Sequence, residues 1–212
     1  MLNRPMLIWN SIALSLRFFL ALFLVSVLSP LPDMPGASTR EFLSLLSRME
    51  GATSLVIWKS QYSLTLFKGD TPVKTYWAVF GKGYGDGDKE KSGDKRTPEG
   101  DFYVCSMNHS KRFYKFLGLS YPGPKHAERG LQRGIISPRE YREIENAHRE
   151  LRQPTWDTRL GGAIGIHGRM LEDASVWAMR QNWTDGCIAL SNTDMDEIFS
   201  VVSLGTPVTI IP

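Results

Sequence analysis

Cysteine is scarce in this sequence: Cys105 and Cys187 are the two among 212 residues. Two cysteines so far apart cannot build a disulfide framework, and the absence of a CxxC pair excludes the common thiol-redox and metal motifs. A single Cys105–Cys187 disulfide stays open, because the sequence does not give the distance between them. His109 and His126 have no acidic or thiol neighbour at metal-ligand spacing, so we predict no metal site and no cofactor.

The sequence also lacks a strong excess of charge of either sign. The 25 Lys and Arg residues nearly balance the 22 Asp and Glu residues, for a net charge of +3, which argues against a nucleic-acid partner. Between residues 106 and 152 the balance shifts to ten basic against five acidic residues, which is either a solvated surface or the rim of a site for an anionic substrate. Repeats and heptads are missing too, so the 42% apolar composition predicts one globular domain.

Residues 1–37 have the composition of an export segment. Arg4 and Arg17 precede an apolar run over residues 18–28, and prolines and small residues follow at positions 30–38. The run is shorter than the roughly 20 apolar residues of a full membrane span. A cleaved signal peptide fits this pattern, and so does an uncleaved signal anchor. Either one predicts that the rest of the chain lies outside the cytoplasm.

After a short amphipathic helix within residues 38–51, the hydrophobic pattern becomes that of strands. Runs of β-branched and aromatic residues at 54–59, 63–68 and 73–80 are separated by short polar links, which predicts an antiparallel meander. Residues 81–100 carry six glycines and alternating charges, and this composition predicts a solvated loop.

The second half alternates strands with short helices. We expect strands at 101–106, with Cys105 as a core thiol, and at 113–119. Ser137 and Glu140 form a capping box for a helix. The apolar stripe of that helix consists of Tyr141, Ile144, His148 and Leu151.

The last fifty residues continue this alternation. Strands are predicted at 164–167 and 187–190, with a short helix over residues 173–179 between them. A final helix, capped by Asn192 or Thr193, precedes a last strand over 207–211. The fold class is therefore mainly β with a few short helices.

The two apolar segments in this region carry the chemistry. His167 lies in a glycine-flanked strand and Cys187 begins the next one. A thiol reacts as the thiolate, so a cysteine nucleophile needs a base such as an imidazole beside it. On residue types alone, the alternative is that both are ordinary core residues in adjacent strands.

The residues before Cys187 suit the same chemistry. Gly186 lets a substrate carbonyl approach the backbone, and the amides of Gly186 and Cys187 are a candidate oxyanion hole. Asp185 and Thr184 are placed to orient an imidazole or the substrate.

The combined motif resembles the active-site signature of the L,D-transpeptidase catalytic domain, the YkuD-like family. The resemblance covers roughly residues 52–212 and is carried by three elements: Thr97-Pro98-Glu99-Gly100, Ile166-His167-Gly168, and Thr184-Asp185-Gly186-Cys187-Ile188. It implies a mostly β sandwich or barrel with Cys187 as nucleophile, His167 as general base and Gly168 at the substrate. The implied substrates are peptidoglycan stem peptides that contain diaminopimelate. The implied location is the periplasm, in soluble form or anchored to the inner membrane.

Two positions depart from the family pattern. Many members have Ser-His-Gly-Cys-Ile-Arg, whereas this chain has Asp185 for the histidine and Ala189 for the arginine. The missing arginine removes a bidentate partner for a carboxylate. The version found here resembles a branch that includes an amidase, which cuts between diaminopimelate and the lysine of an outer-membrane lipoprotein. The motif is thus compatible with three functions: transpeptidation, this hydrolysis, and non-catalytic peptidoglycan binding.

Overall fold

The computed structural model describes residues 51–83, 85, 87–168 and 182–212. The predicted export segment, nearly all of the predicted 38–51 helix and the predicted helix over 173–179 lie outside the described residues. Within those ranges, no helix is both long enough and apolar enough to cross a membrane.

The described residues form eight strands and three helices. The strands are β1 Thr53–Trp58, β2 Ser63–Lys68, β3 Thr71–Trp77, β4 Gly100–Ser110, β5 Tyr114–Leu119, β6 Gly165–His167, β7 Ile188–Ala189 and β8 Pro207–Ile211. The helices are α1 Pro124–Gln132, α2 Pro138–Arg149 and α3 Asn192–Val201.

The strands make one sheet in the order β3-β2-β1-β8-β4-β5-β6-β7. The β1–β2–β3 meander is antiparallel, as predicted, while β1–β8 and β6–β7 are parallel pairs. Beyond β3 the chain makes isolated bridges from Val79 to Ala189 and from Gly81 to Thr184. These bridges join the two ends of the sheet order, so the sheet curls toward closure. The prediction of a mainly β fold with short helices is confirmed.

Alternating side chains of the strands build the core. In β1, Leu55 and Ile57 are fully buried while their neighbours are partly exposed, which is the period-2 pattern of a strand with one core face. Helix α3 adds Met195 and Ile198 to this core. Helices α1 and α2 bury a smaller cluster of their own around Ile144.

Several local predictions need correction. Helix α1 was not predicted, although Pro124 at its first turn is a helix-start signal. Helix α2 has the predicted capping box, but Leu151 lies beyond its end and is 67% exposed, so it does not belong to the apolar stripe. The cap of α3 is Ser191, whose hydroxyl accepts a hydrogen bond from Asp194 N, rather than Asn192 or Thr193.

The glycine-rich segment 81–100 is irregular, as expected, and many of its described residues are exposed, but it is not solvated throughout. Lys89 is buried and pairs with Asp94 at 2.5 Å. The Asp94 carboxylate also accepts hydrogen bonds from three backbone N–H groups, those of Glu90, Lys91 and Arg96. Burial would raise the pKa of Asp94, but these donors outweigh it and hold that pKa below its ordinary value.

A second ion cluster fixes this segment to helix α1. Asp88 accepts hydrogen bonds from His126 (3.0 Å), Arg129 (3.1 Å) and the backbone N–H of Glu99 (2.8 Å). Glu99 in turn pairs with the buried Lys59 at 2.6 Å. Charged side chains that look solvent-exposed in the sequence therefore fix part of this segment to the rest of the domain.

Candidate active site

The turn before Cys187 is braced by a buried threonine. Thr184 Oγ1 donates to the carbonyl of Cys187 (2.7 Å) and accepts from the backbone N–H of Gly186 (3.2 Å). Gly186 has a φ of +128°, and a Cβ there would lie 2.7 Å from the Arg96 carbonyl oxygen. Only glycine fits, because both the left-handed backbone and the close approach exclude a side chain.

This bracing corrects two predictions. The Gly186 N–H already donates to Thr184, so it is not a free donor for an oxyanion hole. The hydroxyl of Thr184 stabilises the turn and forms no hydrogen bond with the imidazole. Thr184 is buried, so this hydroxyl does not face an open space either. Asp185, by contrast, has a side chain that is 73% exposed and lies 3.9 Å from Lys82, where a substrate can reach it.

His167 and Cys187 lie in neighbouring segments: His167 ends β6, and Cys187 directly precedes β7. The two strands are parallel, and their register aligns Ile166 with Ile188 and His167 with Ala189. Both isoleucines belong to the core, and side chains alternate along a strand, so His167 and Ala189 point to the opposite face of the pair.

The His167 imidazole is fixed by its neighbour in sequence. Nδ1 lies 2.7 Å from the carbonyl oxygen of Gly168, so Nδ1 carries the proton and Nε2 is the basic nitrogen. Neither Asp185 nor Thr184 orients the ring. A Cβ on Gly168 would lie 2.6 Å from Asn192 Oδ1, so a side chain at this position would collide with the start of α3. The contact of Gly168 with substrate stays a prediction.

An aromatic box surrounds the imidazole. Phe113 lies 4.4 Å from it between ring centroids, Phe116 packs parallel at 6.5 Å, and Trp183 makes an edge contact at 5.8 Å. Burial in this box lowers the pKa of His167, and the nearby positive charge of Arg112 lowers it further, while the Gly168 carbonyl opposes the shift. At neutral pH the ring is therefore a neutral base.

The Cys187 thiol is held in its protonated form. Burial raises its pKa to about 11, the Gly165 backbone opposes the rise, and the negative charge of Asp185 adds to it. The positive charges of Lys89 and Arg112 act in the lowering direction. The thiol donates to the carbonyl of Ala163 at 3.6 Å, and both cysteines of the chain are free.

Four residues of this environment were not singled out from the sequence: Ala163, Gly165, Arg112 and Lys89. Ala163 has a φ of +52°, which is rare for a residue with a side chain and aims its carbonyl at the thiol. Only the basic excess between residues 106 and 152 pointed to Arg112. Nothing in the sequence pattern indicated Ala163.

A protonated thiol and a neutral imidazole with a fixed tautomer are the two groups that an acyl-transfer site uses as nucleophile and base. Here they are held by the paired segments β6 and β7 of a curled, mainly β domain, which makes this region the candidate cysteine–histidine site. The sequence comparison then identifies the family. The family model of the L,D-transpeptidase catalytic domain, YkuD, matches residues 52–210. The chain belongs to this family, whose enzymes act on peptidoglycan peptides.

Solved structures with similar folds include three bacterial proteins. Bd1075 of Bdellovibrio bacteriovorus is 17% identical with a TM-score of 0.48, over 76% of this chain and 48% of that one. An L,D-transpeptidase of Xylanimonas cellulosilytica is 15% identical with a TM-score of 0.45, over 82% of this chain and 70% of that one. Pgp2 of Campylobacter jejuni, a helical cell shape determining protein, is 17% identical with a TM-score of 0.47, over 75% of this chain and 47% of that one. This chain thus spans about half the length of the first and the third. No curated protein matches the sequence significantly.

Proposed function

We propose that this protein is a cysteine acyltransferase of peptidoglycan that works through an acyl-enzyme on Cys187. The observation that carries the proposal is that the paired segments β6 and β7 of an L,D-transpeptidase-family domain hold an imidazole, whose tautomer is fixed by Gly168, and a free thiol. The reaction takes place in the periplasm, where peptidoglycan is the substrate.

The proposed reaction has two steps. In the first, the Cys187 sulfur attacks the carbonyl carbon of diaminopimelate in the donor stem peptide, and His167 Nε2 takes the thiol proton. The carbon–sulfur bond forms, the carbon–nitrogen bond to the following residue breaks, and the leaving amine receives the proton from His167. In the second, an amine or water attacks the thioester, which restores the thiol.

The perturbed pKa values fit this division of roles. Because the thiol is protonated at rest, it is activated only when a substrate places its carbonyl beside it and the imidazole removes the proton. A neutral His167 is available as a base down to pH values below its ordinary pKa, since burial disfavours the imidazolium.

The acceptor decides between joining and cutting. In both cases the amine that was bound to diaminopimelate, such as the lysine of an outer-membrane lipoprotein, leaves in the first step. An amine acceptor then takes the acyl group and gives a crosslink, whereas water frees the donor stem peptide as a carboxylic acid. Transpeptidation is our first candidate. Hydrolysis is the second, favoured by the exchange of the family's histidine for Asp185, whose exposed carboxylate can hold a water molecule at the thiol site.

Purified sacculi that carry bound lipoprotein separate these candidates. The sacculi are incubated with the protein, and their muropeptides are then analysed by mass spectrometry. The amounts of new crosslinks and of released lipoprotein are compared. We expect one of the two products with the wild-type chain and neither with Cys187→Ala. Wild-type and Cys187→Ala reactions that both leave the sacculi unchanged would instead favour a non-catalytic binding domain.

A further inference from the structure

Two adjoining grooves lie beside segment 81–100. The larger has a volume of about 480 Å³ and the smaller a volume of about 270 Å³, and Ser92 lines both. Among the described residues, neither lining includes His167 or Cys187. A ligand bound in these grooves is therefore independent of the acyl-transfer chemistry.

Four exposed cations line the two grooves. They are Lys82 and Lys95 in the larger groove and Lys91 and Arg159 in the smaller one. A fifth lining cation, Lys89, is buried in its pair with Asp94 and does not face a ligand. Positive charge that a ligand can reach thus extends along both grooves, past the serine that they share.

The protein itself compensates little of this charge. Asp185 is the one acidic residue among the described residues of the two linings, and its carboxylate lies 3.9 Å from Lys82, beyond hydrogen-bond distance. The side chains of Lys91, Lys95 and Arg159 form no hydrogen bond or ion pair with any residue that the structure describes. These cations therefore keep their hydrogen-bonding capacity for an anionic ligand.

The backbone that carries the cations is fixed. The N–H of Ser92 donates to the carbonyl oxygen of Arg159 at 2.8 Å, which joins the two segments between which the grooves lie. The Asp94 carboxylate accepts hydrogen bonds from the backbone N–H groups of Lys91 (3.0 Å) and Arg96 (3.1 Å), so it holds the chain between these two residues. Groups that are positioned before a ligand arrives lower the entropic cost of binding it.

We infer that the two grooves together bind a linear polyanion, whose phosphate or carboxylate groups repeat along the chain and contact the cations on both sides of Ser92. A small anion reaches the cations of one groove, whereas a chain that passes Ser92 reaches those of both. Lysine suits such a ligand because its ammonium is a point charge that does not require bidentate geometry. A flat anionic membrane does not enter grooves, so it fits this surface less well than a polymer does.

Fluorescence anisotropy with the full chain and labelled inorganic polyphosphate tests the inference. Lys91→Gln and Lys95→Gln, one from each groove, should each raise Kd about threefold at low salt, the effect of one exposed charge contact. The slope of log K against log salt should be about −3 for four contacts and should shrink by about 0.7 for each cation removed. Lys91→Arg should bind as the wild type does. Lys68→Gln, which removes an exposed lysine at the end of β2, is the matched control and should change neither value.

Further probes identify the ligand. Labelled poly-L-glutamate in the same assay distinguishes carboxylate from phosphate, and tighter binding of either polymer than of inorganic triphosphate, weakened by variants in both grooves, supports the inference. Triphosphate that binds as tightly as the polymers, or variants that act in one groove alone, would overturn it. Tighter binding to phosphatidylglycerol vesicles, lost in the same variants, would assign the surface to a membrane instead. Cys187→Ala should bind the polymers as the wild type does, so a failure of the proposed acyl transfer leaves this result unchanged.

Discussion

The Cys187 side chain is controlled mainly by its burial and by atoms of other segments. Burial raises its pKa to about 11, and the Ala163 carbonyl accepts a hydrogen bond from the thiol, so a base must remove the proton before the sulfur can react. A protonated thiol is less prone to adventitious oxidation, since the thiolate is the form that oxidises.

Alkylation measures this control directly. In a Cys105→Ala protein, the rate of Cys187 modification by iodoacetamide should keep rising from pH 8 to beyond pH 10, because the thiolate forms only near pH 11. An ordinary cysteine levels off above its pKa of about 8.5. A rate that reaches its plateau below pH 8 would mean that the thiolate already exists at rest.

Gly186 is the residue at which the catalytic turn tolerates no side chain. In Gly186→Ala, the alanine backbone must adopt a φ of +128°, and its Cβ must approach the Arg96 carbonyl oxygen to 2.7 Å. We therefore expect a loss of about 3 kcal/mol in unfolding free energy. Gly205→Ala is the control: its φ is +86° but no atom lies within 4 Å of the new Cβ, so about 1 kcal/mol is expected. Equal losses in urea unfolding would show that the contact with Arg96 does not matter.

Among structural elements, segment 81–100 contributes most to the site without containing a catalytic residue. Thr97 accepts the backbone N–H of Gly81 at 3.0 Å, and the ion clusters around Asp88 and Asp94 fix the remainder. The Arg96 carbonyl of this segment lies against Gly186, so the segment supports the turn before Cys187.

Removal of the Asp94 carboxylate should destabilise segment 81–100. Asp94→Ala leaves the buried Lys89 ammonium without its partner, which costs about 3 kcal/mol in unfolding free energy. Glu90→Ala removes a surface pair with Arg133 from the same segment and should cost less than about 1 kcal/mol. Chemical denaturation of the two variants checks the difference, and similar values would argue against a structural role of the Asp94 cluster.

The sequence was informative about elements whose patterns are local. The β1–β3 meander follows from runs of β-branched and aromatic residues separated by short polar links, and helix α2 follows from its Ser137 capping box. His167 and Cys187 were found through a motif. The sheet closure at Val79 and Ala189 and the burial of Lys89 could not be found in this way, because both depend on segments that lie far apart in the chain. The burial of charged residues in segment 81–100 was predicted wrongly for the same reason.

At the scale of the whole molecule, four buried groups set the pH range of stability. Burial lowers the pKa of His126 and of His167, although Asp88 opposes the shift at His126. Burial raises the pKa of Cys105 and of Cys187 to about 11. Each histidine binds its proton less readily in the folded state than in the unfolded state, and each cysteine binds it more readily.

The free energy of unfolding should therefore have a plateau from about pH 6.5 to about pH 8.5, the ordinary pKa values of the two residue types. Stability rises with pH wherever the unfolded state binds more protons, so it falls as the pH drops below the ordinary histidine value. Above the ordinary cysteine value the folded state binds more protons, and stability falls again as the pH approaches 11. Urea unfolding between pH 5 and pH 10.5 checks both limbs, and a curve that is flat below pH 6.5 would contradict the buried neutral histidines.

The central claim is that a stem peptide leaves its acyl group on Cys187. Acid quenching within the first turnover, intact-mass spectrometry and peptide mapping test it. We predict a mass increase equal to the donor peptide without the residue that follows diaminopimelate, mapped to Cys187 and absent from Cys187→Ala. Product formation without this adduct, or the same adduct in Cys187→Ala, would contradict the account.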